Sequence, residues 1–373
     1  MDLNSKKIRV GIVGANPDRS WAARAHVPAL QALPEYEITA VGTTRAESAR
    51  SAAREFGAAH AFTDAAELAR HPDVDLVAVT VKVPAHAEPV RAALAAGKHV
   101  YCEWPLARTT AEAAELTAAA EAAGVHHTVG LQARLSPALR HARELIESGR
   151  IGRVVSASVH ATRGKGAGRR VPAWGAYTLD RSNGAGTLEV AGGHTLDALQ
   201  YLLGDIEDLS ATLSVQHPVA VVAETGAEVA ATSPDHLLLH ATLTGGASAS
   251  VHLHDARSSN AGTRIDISGT DGDLALVSAG PYAPAGIQIG DLRLWGAAAG
   301  EHTWQEIPVP GAQDIPGLAD ETEGANVARQ YARLAADLRS GTRGGTDFAA
   351  GLRLHRLLDA VRRSAASGTR VTV

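Results

Sequence analysis

The sequence is poor in sulfur and in aromatic residues, and it has no long hydrophobic run. It contains one cysteine and one methionine among 373 residues, which excludes an internal disulfide and a cysteine-rich metal site. No stretch approaches the roughly 18 uninterrupted apolar residues that suggest a membrane span, and no apolar signal-type run precedes the first strand-like segment. The formal net charge of −5 gives no electrostatic reason to expect binding to nucleic acid or an anionic membrane. We therefore expect a cytoplasmic protein with neither partner.

Strand-like and helix-like segments alternate over about the first 130 residues. Residues 76–81 form a continuous apolar run, which is typical of a strand covered on both faces, and residues 46–56 form one of the helix-like segments. Such alternation favours βαβ units. The sequence therefore predicts a Rossmann-type, doubly wound parallel sheet over residues 1–132.

The pattern changes after about residue 135. Strand-like runs are joined there by glycine-rich turns such as Thr244-Gly245-Gly246 and Asp271-Gly272, which are typical of antiparallel pairs. We predict a second α/β domain over residues 133–373, with a large, mostly antiparallel, open-faced sheet. Its C-terminal helices are able to pack back on the first domain. The open face makes a homodimer or a homotetramer our expectation.

The turn after the first predicted strand resembles a dinucleotide-binding fingerprint. Gly11 and Gly14 would let a pyrophosphate approach the backbone at a helix N-terminus. Asn16 stands where a further glycine is usual, and asparagine tolerates a positive φ. Ser20 and Trp21 then open the helix. The alternative is an ordinary turn in which Ser20 is the N-cap.

The residues after the second predicted strand bear on the choice between NAD and NADP. An acid at this point would bind the ribose 2′-hydroxyl of NAD, but the chain has Thr43, Thr44 and Arg45 there. Hydroxyls with an arginine suit a 2′-phosphate better. We expect NADP, with NAD as the alternative, unless Arg45 only solvates the surface.

Several spaced motifs resemble the Gfo/Idh/MocA oxidoreductase family. Besides the fingerprint strand they are Val83-Pro84-Ala85-His86, Ala96-Gly97-Lys98-His99-Val100, Glu103-Trp104-Pro105, Gln132-Ala133-Arg134, Ile151-Gly152 and Gly192-Gly193-His194-Thr195-Leu196-Asp197. The resemblance implies a bound NAD(P) and a sugar-like ligand between two domains. It adds a set of cofactor-binding residues, namely Val83, Pro84, His86, Glu103, Trp104, Pro105 and Gln132.

The chain departs from the family pattern at two positions. Family members have a lysine where this chain has Trp104, and an aspartate four residues before the helix histidine, where this chain has Val190. With Trp104 at the first of these positions, the chain resembles the Gal80-like branch of the family. That branch binds a pyridine dinucleotide but works as a sugar-pathway sensor. The resemblance implies that the indole lies beside the nicotinamide.

The remaining acid/base candidates surround the helix predicted after residue 193. His194 is expected to exchange a proton with the substrate, and Asp197, three residues later on the same helix face, is expected to orient it. Lys82 is a further catalytic candidate, and Arg134 and Arg163 are candidates for substrate contact and positive charge. The alternative is that His194 only packs or caps the helix.

A basic, glycine-rich loop spans residues 163–177. Trp174 and Tyr177 in this loop, with Arg163, suit the faces and hydroxyls of a sugar, so we predict a lid over a polyol substrate. The alternative is a solvated loop. His252 and His254 alternate along a strand without a third ligand in view, so we expect no metal.

Three functions remain open. The leading one is an NAD(P)-dependent oxidoreductase that moves a hydride to or from a sugar or similar polyol, since the cofactor carries that chemistry. The second is a Gal80-like sensor that binds the dinucleotide without turnover. The third is an enzyme that uses transient oxidation to assist elimination or glycoside cleavage. The fold alone does not decide among them.

Overall fold

The first part of the chain alternates between strands and helices. The computed structural model describes residues 6–18, 20–164, 169–257, 259–311, 314–318 and 322–373. The strands are β1 (Ile8–Val13), β2 (Tyr36–Gly42), β3 (His60–Phe62), β4 (Leu76–Val79), β5 (His99–Cys102) and β6 (His127–Val129). The helices are α1 (Val27–Ala32), α2 (Ala46–Phe56), α3 (Ala65–Arg70), α4 (Ala87–Ala95) and α5 (Thr110–Ala123), and a π-helical turn, Ala22–His26, leads into α1.

These six strands form one parallel sheet in the order β3-β2-β1-β4-β5-β6. All four residues of β4 are buried, as a strand covered on both faces requires. The predicted Rossmann sheet is thus confirmed. The order reverses between β1 and β4, and open α/β sheets bind ligands at the carboxyl ends of the strands at such a point.

The following residues build a second, larger sheet. Its helices are α6 (Pro137–Glu147) and α7 (Gly193–Leu203), and the strands are β7 (Val154–Thr162), β8 (Arg170–Val171), β9 (Ile206–Ser214), β10 (Val219–Val222), β11 (Glu228–Ala230), β12 (His236–Leu243), β13 (Ser248–His254), β14 (Thr263–Gly269), β15 (Gly272–Ala279), β16 (Asp291–Ala298), β17 (Gln305–Ile307) and β18 (Val371–Thr372). Nine strands pair in the order β17-β16-β15-β14-β7-β13-β12-β9-β18, and β8, β10 and β11 form a small separate sheet.

The large sheet is mostly antiparallel, as predicted. Among its described strand pairs only β7 and β13 run parallel. Burial alternates along β13, where Ala249, Val251 and Leu253 are buried while Ser248 and Ser250 are exposed. This alternation indicates that, within this part of the chain, one face of the sheet is covered and the other is open.

Two long helices complete the chain. They are α8 (Ala325–Ser340) and α9 (Phe348–Ser367). By compactness the chain divides into a first unit, Met1–Gln132 with Gln313–Arg353, and a second unit, Ala133–Ala312 with Leu354–Val373. The segment that contains α8 thus falls in the first unit, which agrees with our expectation that C-terminal helices can pack back on the first domain, although we drew the second domain as residues 133–373. Within the described residues, no helix combines the length and the apolarity needed to cross a lipid bilayer.

Hydrogen bonds explain why α8 belongs to the first unit. The buried Gln330 Nε2 donates to Val129 O at 2.7 Å and to Thr128 Oγ1 at 3.0 Å, both on β6. The Tyr101 hydroxyl on β5 donates to Gln330 Oε1 at 3.1 Å. One amide therefore satisfies polar groups of two neighbouring strands, in surroundings where an unpaired group is costly.

Replacing Gln330 by alanine tests this arrangement. We expect Gln330→Ala to lower the free energy of unfolding by on the order of 1–3 kcal/mol, because it leaves buried strand groups unpaired. Denaturant unfolding followed by circular dichroism measures the effect. The matched control is Gln305→Ala, at an exposed position of β17, and equal destabilisation by the two variants would contradict the assignment.

Candidate functional site

Most of the predicted cofactor-binding residues lie just beyond the carboxyl ends of five parallel strands. Gly14 follows β1, Thr43 follows β2, His86 lies beyond β4, Glu103 follows β5 and Gln132 lies beyond β6. Because parallel strands end at the same edge of a sheet, the fold brings these residues to one edge of the first unit.

The two fingerprint glycines have different roles. Gly14 has a φ of +101°, and a Cβ there would lie 2.9 Å from Thr80 Oγ1, so the turn after β1 requires glycine. Gly11 lies inside β1, where a Cβ would meet Leu68 Cδ2 at 2.6 Å. Gly11 therefore serves the packing of α3 on the strand, and Gly14 shapes the turn.

The rest of this turn is stabilised locally. Asn16 does not adopt the positive φ that we considered; its Oδ1 instead accepts a hydrogen bond from Asp18 N at 2.9 Å. Ser20 Oγ accepts from Ala23 N at 3.1 Å, which is the contact that a capping serine makes. Arg19 lies outside the described residues.

Two residues of the predicted cofactor set keep a buried polar atom without a partner. These atoms are Trp21 Nε1 and Gln132 Oε1. A buried donor or acceptor without a hydrogen bond is costly and calls for an explanation. A bound polar molecule at this edge would supply the missing partners, so the residues present fit a dinucleotide.

The segment after β2 presents a cation. Thr43 Oγ1 donates to Arg45 O at 2.9 Å and lies 2.7 Å from Ser48 Oγ, so this hydroxyl is engaged at the start of α2. Arg45 is the N-cap residue of α2 and is exposed, and no ion pair joins it to a described residue. An exposed guanidinium at a helix N-terminus is suited to an anionic group.

The turn Glu103-Trp104-Pro105 is held from three sides. Glu103 Oε1 lies 2.9 Å from His26 Nε2, and His26 Nδ1 lies 2.8 Å from the Tyr331 hydroxyl of α8. A Cβ on Gly130 would come within 2.9 Å of the same carboxylate oxygen. The Trp104–Pro105 peptide bond is cis, and Trp104 is buried. These contacts fix where the indole is placed.

His86 supports this turn from the side of β4. It is buried, and its Nδ1 lies 2.9 Å from Pro105 O while its Nε2 lies 3.0 Å from Val81 O. Burial lowers the pKa of His86. The predicted motif Val83-Pro84-Ala85 forms a short 3₁₀ turn between Lys82 and His86. His86 thus joins the end of β4 to the turn that carries Trp104, which is a positioning role.

His194 lies inside a helical segment of the second unit and does not begin it. A π-helical turn, Leu188–Gly192, precedes α7, and Gly192 keeps helical backbone angles. The capping alternative is therefore wrong. His194 is 3% exposed and its Nδ1 has no hydrogen-bond partner. Burial, with a further contribution from the positive charge of Arg163, lowers the pKa of His194 to about 3, so the imidazole is neutral at neutral pH.

We predicted that Asp197 orients His194, and His194 Nδ1 makes no hydrogen bond to it. Arg134 Nε donates to both carboxylate oxygens of Asp197, at 2.9 and 3.1 Å, and Arg134 Nη2 donates to Oδ1 at 2.5 Å. The two residues share a helix face, but the carboxylate pairs with the cation because a bidentate guanidinium contact is far stronger than one to a neutral imidazole. The same contact engages Arg134, a predicted substrate residue.

Asp255 is a functional candidate that the sequence analysis missed. Its side chain is buried, with Oδ1 3.6 Å from Arg163 Nε, and Thr187 Oγ1 donates to Oδ2. Oδ1 has no hydrogen-bond partner. Asp255 directly follows β13, so an acid at the end of a strand rich in histidine was the available signal. It places a buried carboxylate 3.6 Å from Arg163, whose positive charge contributes to the lowered pKa of His194.

Glu189, next to the position of the family aspartate, serves another purpose. Arg362 Nη2 on α9 donates to Glu189 Oε1 at 2.6 Å, and Glu189 Oε2 accepts from Gly186 N at 2.9 Å. The carboxylate of Glu189 therefore joins α9 to the segment before α7, and these contacts are not those of the missing family aspartate.

The predicted lid is described in part, because Lys165, Gly166, Ala167 and Gly168 lie outside the described residues. Trp174 is 57% exposed in the 3₁₀ turn Ala173–Leu179, which also contains Tyr177. Beside this segment is a cavity lined by Arg170, Thr187, Ser233 and Asp255, among others. Ser233 Oγ and Asp255 Oδ1 are both buried and unpaired there, so the cavity offers a hydroxyl and a carboxylate to a ligand.

Comparison with known proteins identifies the family. Residues 8–131 match an oxidoreductase family with an NAD-binding Rossmann fold (Gfo/Idh/MocA), and residues 137–278 match the C-terminal domain of Gal80p. The chain belongs to the Gfo/Idh/MocA family. The dehydrogenase aclE of Aspergillus oryzae is 37% identical over 246 residues, which are 63% of this chain and 67% of that relative.

Solved structures of this family share the fold over nearly the whole chain. A super-repressor mutant of Gal80p from Saccharomyces cerevisiae has a TM-score of 0.86 at 26% identity, covering 98% of both chains. A levoglucosan dehydrogenase in complex with NADH and L-sorbose has a TM-score of 0.84 at 25% identity, covering 98% of this chain and 99% of the other. The predicted Gfo/Idh/MocA membership, with its Gal80-like character, is confirmed.

Trp104 can be tested by fluorescence. If the indole is part of the dinucleotide site, dinucleotide binding quenches or shifts tryptophan emission, and Trp104→Phe diminishes that response while the smaller aromatic ring still fills most of the space. The control is Trp304→Phe, at a 37% exposed position in the second unit. A response that depends on Trp304 and not on Trp104 would contradict the placement.

Proposed function

We propose that the protein is an NAD(P)-dependent oxidoreductase whose substrate is a sugar or a similar polyol. The observation that carries the proposal is the cavity in the second unit that both Ser233 and Asp255 line, where Ser233 Oγ and Asp255 Oδ1 are buried without partners. A hydroxyl and a carboxylate oxygen suit the hydroxyl groups of a polyol. His194, whose buried Nδ1 also has no partner, is the candidate for proton transfer. The levoglucosan dehydrogenase among the structural neighbours, solved with L-sorbose, supports a carbohydrate substrate for this chain.

The second unit supplies the groups for proton transfer at the substrate hydroxyl. A bound nicotinamide would supply the hydride chemistry. His194 is proposed to accept the hydroxyl proton when the alcohol is oxidised and to return it in the reverse direction. Arg163 supplies positive charge that stabilises a developing alkoxide. Asp255, which accepts a hydrogen bond from Thr187, lies 3.6 Å from Arg163 and balances its charge.

First-unit residues are proposed to hold the dinucleotide. Gly14 provides the tight turn, Trp21 and Gln132 provide the unpaired donor and acceptor, and Trp104 packs against the nicotinamide. Arg45 favours NADP over NAD because it has no carboxylate partner among the described residues. Lys82 stays a candidate for further positive charge at the end of β4.

A Gal80-like sensor is the second candidate. The match of residues 137–278 to the Gal80p C-terminal domain and the presence of Trp104 in place of a proton-carrying lysine favour it. A sensor would bind the dinucleotide and a sugar-like ligand without exchanging a hydride.

A substrate survey separates the two candidates. The purified protein is incubated with NAD or NADP and a panel of sugars and polyols, including levoglucosan and L-sorbose, while nicotinamide absorbance is followed and products are analysed. We expect reduction of the cofactor with at least one alcohol. Dinucleotide binding with no product from any panel member would favour the sensor.

His194 is the first residue to replace in such an assay. We expect His194→Ala to retain dinucleotide binding and to lose on the order of 10²-fold or more in turnover, as for the removal of a positioned base. His302→Ala, at an exposed position between β16 and β17, is the matched control. Unchanged turnover in His194→Ala would transfer the role to another group.

The pH profile gives an independent reading of His194. Because its pKa is about 3, protonation of this imidazole should cause no loss of rate between about pH 5 and pH 8. Arg163→Gln removes a charge that lowers the pKa of His194, so this pKa rises. As the pH is lowered, the rate of the variant should therefore begin to fall at a higher pH than the rate of the parent. An acid limb near the ordinary histidine pKa in the parent would contradict the assigned state.

Cofactor preference is tested at Arg45. We expect calorimetric titration to show tighter binding of NADP than of NAD, and Arg45→Ala to weaken NADP binding selectively, by on the order of 1–3 kcal/mol. Arg54→Ala, near the other end of α2, is the control for general loss of charge. Equal binding of the two dinucleotides by the parent would remove the case for NADP.

We also propose that the open face of the large sheet joins two or four copies of the chain. Leu238, the third residue of β12, is 52% exposed on that face, so it is a position at which a charge would disturb such an interface. Light scattering should report the mass of a dimer or a tetramer for the parent. Leu238→Lys should shift the measured mass toward that of the monomer. A monomeric parent would contradict this proposal.

A further inference from the structure

Three potential metal ligands lie together in the first unit. His60, His71 and Asp73 each bring one ligand atom to within 4.8 Å of the others. His60 begins β3, His71 is the C-cap residue of α3, and Asp73 precedes β4. The cluster therefore lies at the amino ends of the strands, at the opposite edge of the sheet from Gly14 and Glu103.

Two imidazoles and one carboxylate are a donor set that divalent zinc prefers. Zinc sites with three protein ligands leave a fourth position for water, and the side chains of His60 and Asp73 are 31% and 49% exposed, which gives water and the ion access. We propose that His60, His71 and Asp73 bind a first-row transition metal ion, with Zn²⁺ the ion that this donor set fits best.

The carboxylate of Asp73 is oriented by neighbouring side chains. Arg9 Nη1 donates to Asp73 Oδ1 at 2.9 Å, which leaves Oδ2 directed at His60 Nε2, 3.2 Å away. Thr39 Oγ1 donates to Asp73 O at 2.6 Å and so fixes the backbone as well. Partners of this kind orient ligands and raise the affinity of metal sites.

Local charge is balanced around the cluster. Arg9 pairs with Asp75 at 2.8 Å and with Asp73 at 2.9 Å, and Lys98 Nζ donates to Val74 O at 2.7 Å and to His71 O at 3.3 Å. The two cations and the two carboxylates sum to zero, so a divalent ion beside Asp73 Oδ2 does not meet an uncompensated cation.

The two imidazoles are held close together in the absence of metal. The ring centroids of His60 and His71 lie 4.0 Å apart, and the ring of Phe62 packs 5.5 Å from that of His71. A metal ion would take the place of the proton shared between His60 Nε2 and Asp73 Oδ2. His71 Nδ1 accepts a long, 3.2 Å hydrogen bond from Asp73 N, so its ligation gives up only a weak contact.

The test uses the full chain, free of any affinity tag and treated with a chelator. Calorimetric titration with Zn²⁺ should show one binding site in the parent. His71→Ala should lower its affinity for Zn²⁺ by at least about tenfold, because loss of even a partner that only supports a ligand costs that much. Titration with Co²⁺ should give the visible absorption of a nitrogen- and oxygen-ligated ion in the parent. Circular dichroism confirms that the variants fold, and Asp73→Asn, which keeps the shape of the side chain, supplies a second ligand variant.

The control distinguishes this cluster from other histidines. His160, His236, His252 and His254 gather on the large sheet, with neighbouring ring centroids 4.9 to 5.7 Å apart. His254→Ala should leave the proposed site intact. Zinc binding that is lost in His254→Ala but kept in His71→Ala, or that is equal in all variants, would overturn the proposal.

Discussion

The carboxylate of Glu103 fixes the turn at the end of β5, and the position of Trp104, a predicted cofactor-binding residue, depends on that turn. Glu103 meets His26, which in turn meets Tyr331 of α8, so the first helical segment, the central sheet and the late helix converge on one acid. Position 130 requires glycine because a Cβ there would lie 2.9 Å from Glu103 Oε1. Trp104 is therefore held in place by residues far apart in the sequence, which explains how a tryptophan can take the lysine's position without disturbing the sheet.

Charge in the second unit is arranged differently. Asp197 and Glu189 are both buried, and each is engaged by an arginine, Arg134 and Arg362 respectively. Asp255 is the exception, since one of its oxygens lies 3.6 Å from Arg163 and accepts no hydrogen bond. A buried carboxylate oxygen without a hydrogen-bond partner is unusual in a purely structural role, because unpaired polar atoms are costly.

The sequence predicted what depends on local pattern and missed what depends on distant contacts. The apolar run of β4 and the glycine turns of the large sheet specify their elements because period and turn chemistry are local. Helix α8 looks like any amphipathic helix, and only the pairing of Gln330 with β6, about 200 positions away, places it in the first unit. Spacing put Asp197 on the face of His194, but it could not show that Arg134, 63 positions earlier, takes the carboxylate. Asp255 was missed for the same reason.

The central claim is that the bound dinucleotide exchanges a hydride and is not only a ligand. The most direct measurement uses sugars that carry deuterium at the oxidisable carbons, mixed with the protein in excess over the oxidised dinucleotide, followed by mass spectrometry of the recovered nucleotide. Our account predicts that, with at least one sugar, the nicotinamide is reduced in step with its absorbance change and the reduced ring carries one deuterium from that sugar. Tight dinucleotide binding with no deuterium transfer from any sugar would contradict it.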